Sequence, residues 1–144
     1  MLVRLLYASR AVDGIDEAFL KSIFEQSRAN NLEHGITGVL CAHAASGVFI
    51  QALEGGRKAV NRLYGNIVRD QRHADVTLLE YAEIEERRFA SWSMGNVDLT
   101  KVNRSSILRH SEKAELDPFS MTGRRTLALL EELVGSAAIV SYDG

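Results

Sequence analysis

The chain has 144 residues, a formal charge of −2 and a pI near 6.1. That length suits one domain that closes a core without staples, and the charge leaves no basic stripe to hold a phosphate backbone, so no direct nucleic-acid partner is expected. The single cysteine, Cys41, lies in an apolar run and forms no intrachain disulfide, which fits a reducing cytoplasm. The N-terminus has no charged prelude or cleavage site and no run is long enough to cross a bilayer, so no membrane is expected.

Leu2 to Ser9 alternates as a strand with Val3, Leu5, Tyr7 and Ser9 on one face. After the turn-like Val12-Asp13-Gly14, Asp16 and Glu17 supply the acidic first turn of a helix. Its stripe Leu20, Ile23, Phe24 and Ser27 continues to Asn31, and the helix is expected to end near Asn30-Asn31. Gly35-Ile36-Thr37-Gly38 opens a second strand, Val39 to Ala42, which turns through His43 to Gly47 into a third. That third strand, between Gly47 and Gly55-Gly56, is apolar on both faces, so its one amide, Gln51, is expected to be buried. A buried primary amide left unpaired costs about 1–3 kcal/mol, so something must read it. Taken alone, a core partner is the plainer reading of Gln51 and a ligand the other.

Val60, Leu63, Tyr64 and Ile67 form the stripe of a second helix running to about Arg69, and Asp70-Gln71-Arg72-His73 is its polar exit. Val76 to Ile84 reads as a strand, Glu85-Glu86-Arg87-Arg88 as a solvated charge cluster, and Trp92 to Val97 as a fifth strand on which Trp92 and Met94 share a face. With right-handed crossovers this βαββαββ order gives an α+β, ferredoxin-like mixed sheet with both helices on one face. Tyr7 and Gln51, on the central first and third strands, then meet beneath the helices. Residues 99–144 read as a helical extension of a domain spanning 1–98. Lys101 to His110 forms a short helix there, and Asp117-Pro118 caps another running to about Gly135. The stripe Leu127, Leu130, Val134 and Ala137 suits the open sheet face or a partner chain.

His34, His43, His73 and His110 lack metal-site spacing, and no G-x-S-x-G, Walker A or Rossmann fingerprint is present. What stands out is Tyr7, Gln51 and Asn30-Asn31 directed at one sheet-helix interface, with Ile23 and Ile67 on facing stripes. Branched aliphatics ringed by amides suit a flat heteroaromatic plate, whose faces need apolar cover and whose edge needs matched donors and acceptors. Purely structural polar bonding is the alternative. Arg72-His73 could hold phosphate oxygens of such a ligand or be a solvated loop.

Tyr7-x-Ser9, Asn30-Asn31, Gly35-Ile36-Thr37-Gly38, Phe49-Ile50-Gln51-x-Leu53-Glu54-Gly55, Asp70-x-Arg72-His73 and Trp92-Ser93-Met94 resemble, in order and spacing, the BLUF domain, a blue-light sensor using FAD. The resemblance covers about residues 1 to 98 and implies an oxidised flavin held non-covalently between the two helices. It makes Tyr7 the electron and proton donor to the excited flavin and Gln51 the amide that rearranges between Tyr7 and the ring. By the same resemblance Asn31 bonds the ring's polar edge with Asn30 and Ser27 nearby, Ile23 and Ile67 sandwich it, and Arg72 and His73 sit near the ribityl-phosphate end. Trp92 and Met94 match the pair that relays the signal. Where many members carry Arg one residue before the ring-packing Ile, this chain has Asn66, which removes one expected phosphate contact and leaves FAD, FMN and riboflavin all open.

The expectation is therefore a short, stand-alone blue-light photoreceptor, not an enzyme, signalling to a downstream protein partner or through a change in a homo-oligomer. Two rivals remain from the sequence. One is a light-insensitive ferredoxin-like ligand-binding or interaction module, which would carry no flavin colour. The other is a flavin redox enzyme, for which no substrate site is evident.

Overall fold

A computed structural model describes residues 1–44, 46–97, 104–135 and 139–141. The elements are β1 (Leu2–Ala11), α1 (Glu17–His34), β2 (Thr37–His43), β3 (Val48–Gly56), α2 (Arg57–Arg69), β4 (His73–Ile84), β5 (Gly95–Val97), α3 (Arg104–Leu108), α4 (Gly123–Gly135) and β6 (Ile139–Ser141). They form one six-stranded sheet in the order β4-β1-β3-β2-β5-β6. The first four strands in that order are antiparallel neighbours, and β5 joins parallel to β2, which makes the sheet mixed. This is the α+β, ferredoxin-like arrangement expected from the order of elements.

Strand alternation divides the interior into two clusters. Val3, Leu5 and Tyr7 of β1 face the side of α1 and α2, with Phe24, Leu40, Phe49, Leu53 and Val60. Leu6 and Ala8 face the other side, with Val39, Cys41 and Ile50, and there α4 covers the sheet through Leu127, Leu129, Leu130 and Leu133. Val134 packs against the same cluster, while Ala137 and Lys101 to Asn103 lie outside the described residues.

Several element boundaries differ from the periodicity. α1 continues one turn past Asn31, because Gly35 adopts the left-handed conformation at φ 68° and returns its N–H to the Asn31 carbonyl. α4 starts at Gly123, since Pro118–Ser120 forms only a 3₁₀ turn and the Asp117 side chain makes no capping bond. Thr122 caps it instead, its Oγ1 accepting from the Arg125 amide at 3.1 Å. A Cβ at Gly123 would lie 2.1 Å from the Leu79 carbonyl oxygen, so only glycine allows this close seat on β4. Leu79 is itself the extra residue of a register shift, between Tyr7↔Leu78 and Leu6↔Glu80. β5 is reduced to Gly95–Val97, with Trp92 to Met94 in the approach to it, and β6 adds an unanticipated strand along β5.

Candidate functional site

In the β1–β3 register Tyr7 lies directly opposite Gln51, and both side chains face the helices. They are 2% and 4% exposed, respectively. The Tyr7 hydroxyl donates to Gln51 Oε1, and Gln51 Nε2 donates to Met94 Sδ at 3.3 Å. Gln51 is thus read by core partners on both ends of its amide. Burial pushes the Tyr7 phenol's pKa far above its usual value, and nearby Tyr64 and Asp70 push it further. The phenol therefore remains a proton donor at any physiological pH.

Above this pair is a cavity of about 220 Å³ between the sheet and the two helices. Ile23, Ser27 and Asn30 of α1 form one wall, Leu63 and Ile67 of α2 the other, and Leu40 and Phe49 complete the floor beside Tyr7 and Gln51. Asn66, Asp70, Arg72 and His73 complete its border. Arg72 is engaged by Asp70, its Nη2 2.6 Å from Oδ2 and its Nε 3.0 Å from both carboxylate oxygens. Those bonds hold the Asp70 carboxyl below the usual carboxylate range. Asn66, which stands where a cation was expected from the resemblance, accepts from Arg69 Nη2 at 2.6 Å.

His73 Nδ1 lies 2.9 Å from Ser9 Oγ, and its ring makes a tilted contact with Phe49, 5.4 Å between centroids at 57° between planes. Burial pulls its pKa below the ordinary 6.5, Asp70 opposes that pull and Arg72 adds to it. Below the unfolded pKa the unfolded chain then binds more protons at this residue than the folded one. Stability is expected to fall as pH drops through about 6.5 toward the lowered folded value, and to be flat above it. Urea midpoints at about pH 7.5 and about pH 5.5, compared between the natural chain and His73→Gln, check the sign: the drop should be smaller in the variant.

Of the residues singled out from the sequence, Tyr7, Ile23, Ser27, Asn30, Gln51, Ile67, Arg72 and His73 border this cavity. Asn31 does not. It is fully buried, its Nδ2 donates to the Ser93 carbonyl at 2.7 Å, and its Oδ1 has no hydrogen-bond partner. Trp92 and Met94 do not share a face, contrary to the expectation. Met94 packs with Tyr7 beneath the helices, whereas Trp92 packs on the cluster under α4. Period-two alternation fails there because the approach to β5 is not extended strand. Leu40, Phe49 and Leu63 were not singled out, although Phe49 shares the strand face of Gln51 and Leu63 the helix stripe of Ile67. Asp70 carries no role in the sequence reading, although it stands in the same Asp70-x-Arg72-His73 run as two residues that do.

Among the described residues no helix is long and apolar enough to cross a membrane, and no group of acidic, His or Cys side chains is placed to hold a metal ion. A family model described as BLUF, sensors of blue-light using FAD, matches residues 2–95. The beta subunit of a photoactivated adenylate cyclase from Euglena gracilis is 36% identical over 94 residues, which are 65% of this chain but 11% of that protein. The chain thus spans only about a tenth of the length of that curated relative. Among solved structures, BlsA in its photo-activated state matches with a TM-score of 0.80 at 31% identity, covering 93% of this chain and 95% of that one. BlrB, a BLUF protein in its dark state, matches with a TM-score of 0.72 at 30% identity, covering 94% and 96%.

Proposed function

The chain belongs to the BLUF family, sensors of blue light using FAD, and on that premise we propose that it is a flavin-binding blue-light photoreceptor that works as a sensor and not as an enzyme. The observation that carries this reading is the buried Tyr7–Gln51–Met94 relay on the floor of a cavity walled by Ile23 and Ile67. The residues fit a flavin ring in a second respect. Asn31 Oδ1, one residue beyond Asn30 of the cavity border, is a buried acceptor with no partner, and a ring N–H reaching past Asn30 would relieve the cost of about 1–3 kcal/mol that such an acceptor carries.

Bound there, an oxidised flavin supplies absorption in the blue and an excited ring that accepts an electron and a proton. Tyr7 holds that proton on a phenol aligned with Gln51. Gln51 presents an acceptor to Tyr7 and a donor to a thioether, which is a weak acceptor, so little resists a turn of the amide that swaps its ends. Such an exchange redistributes about 1 kcal/mol, enough to bias a marginal contact and too little to unfold the sheet. Ile23 and Ile67, on the two helix walls of the cavity, would cover the ring's faces and exclude water. Arg72 and His73, on the cavity border, would hold the ribityl phosphate, with Arg72 sharing its guanidinium between Asp70 and the ligand. FAD is the proposed flavin, with FMN and riboflavin admitted by the loss of a cation at Asn66. The output unit is residues 99–144, reached from Met94 through β5 and read by a downstream protein partner or within a homo-oligomer.

Purified protein is expected to be yellow, and blue light to shift its flavin band reversibly to the red without bleaching. Cys41→Ala should leave this response unchanged, because Cys41 belongs to the core cluster under α4 and burial pushes its thiol up to about 12. Colourless protein, or bleaching in place of a red shift, would reject the reading.

A further inference from the structure

The segment between β4 and β5 delivers two of the bonds on which the site rests. It leaves the sheet at the β4 edge and re-enters beyond β2, so it must pass the ends of β1 and β3. At its far end the Ser93 carbonyl accepts from Asn31 at 2.7 Å, and Met94 Sδ accepts from Gln51 at 3.3 Å. Part-way across, Glu54 catches it. Glu54 is fully buried at the end of β3 and does not border the cavity. Its register partner Arg4 donates from Nε to Oε2 at 2.8 Å. The amide of Arg88 lies 3.0 and 3.1 Å from its two carboxylate oxygens, and that of Phe89 2.7 Å from Oε1.

We propose that Glu54 is a positioning residue for the photoactive pair: by clamping the Arg88 and Phe89 amides it sets where Ser93 and Met94 lie, and through them how Asn31 and Gln51 are oriented. The inference rests on the photoreceptor reading above. Arg87 strengthens the clamp, its Nη1 donating to Thr37 Oγ1 at 3.0 Å. Nearer the site, the Trp92 carbonyl accepts from the Gly38 amide at 3.0 Å. Only a short span separates Phe89 from Met94, so a slip at the clamp is passed on to the thioether. A carboxylate suits this place because every group aimed at it is a donor. In Glu54→Gln an NH₂ at the Oε2 position would free only Arg4 and leave Oε1 to the Arg88 and Phe89 amides, whereas Glu54→Leu leaves those amides no acceptor at all.

The test uses the full chain with flavin bound and methionine methyl groups labelled. In Glu54→Leu the dark-state Met94 methyl resonance should move, and return from the lit state should quicken by about fivefold, the factor expected for one buried hydrogen bond. A purely structural Glu54 would lower the urea midpoint yet leave the Met94 resonance and recovery rate as in the natural chain. That result would overturn the proposal. Should Glu54→Leu not fold, amide exchange in the natural chain decides. Arg88 and Phe89 exchanging as slowly as β3 amides supports the clamp, and exchange as fast as at Glu85 and Glu86 refutes it. The resonance and amide exchange require no light response, so they judge Glu54 even if an absent red shift has rejected the photoreceptor reading.

Discussion

Tyr7→Phe and Gln51→Leu are each expected to abolish the light-induced red shift while leaving the chain folded and the flavin bound. In Tyr7→Phe the ring keeps its tilted contact with Tyr64, at 5.7 Å between centroids, and only the hydroxyl is lost. The cost is a buried Gln51 Oε1 without its donor, about 1–3 kcal/mol against a domain stability on the order of 5–15 kcal/mol, so folding survives. In Gln51→Leu the volume is kept, but the Tyr7 hydroxyl and Met94 Sδ both lose their partner. No amide then remains to exchange bonds, so the loss of the shift is complete rather than graded. Absorption spectra before and after illumination measure it directly. A normal shift in Gln51→Leu would mean that the response is generated elsewhere in the cavity.

The second large effect is on stability. Leu133→Ala is expected to cost about 2–5 kcal/mol, the range for emptying a buried leucine site. Leu133 is fully buried in the cluster that α4 shares with Leu6, Val39 and Ile50 of three different strands. Its loss should therefore lower the unfolding midpoint of the sheet itself, in one cooperative transition. Trp92, the only tryptophan, packs on this cluster and provides a local probe. Urea titrations followed by Trp92 fluorescence and by far-ultraviolet circular dichroism should coincide and shift together. Two separated transitions would show instead that α4 unfolds as a unit of its own.

Much of this arrangement was legible in the residues, for local reasons. Alternation in β1 and β3 placed Tyr7 and Gln51 on one face, and the stripes of α1 and α2 placed Ile23 and Ile67 toward them. Glycines and charge runs marked the ends of strands. What was not legible depends on contacts between remote segments. The end of α1 turned on Gly35 as a left-handed cap, which overrode the helix-breaking tendency of Asn30-Asn31. Trp92 and Met94 are two apart, yet they fall on opposite faces because the chain is not extended between them. The Asn31 side chain is fixed from far along the chain, its Nδ2 donating to the Ser93 carbonyl. Glu54, beside Gly55-Gly56, gave no sign that its carboxylate would be buried, because its partners come from β1 and from the approach to β5.

The bonds of the site join residues far apart in the chain: Tyr7 to Gln51 across 44 positions, Asn31 to Ser93 across 62, and Ser9 to His73 across 64. Bonds of this kind form only after the closure entropy of long loops has been overcome, so they are late products of folding. No partial structure can assemble them, and a chromophore that recognises them binds the finished fold alone. Its binding free energy is then added to the whole fold by mass action, and the melting temperature should climb with chromophore concentration. Release of the pigment into solution on heating, read as a rise in its fluorescence, would mark collapse of the entire sheet, not the swing of a flap, which makes the pigment a built-in reporter of native protein.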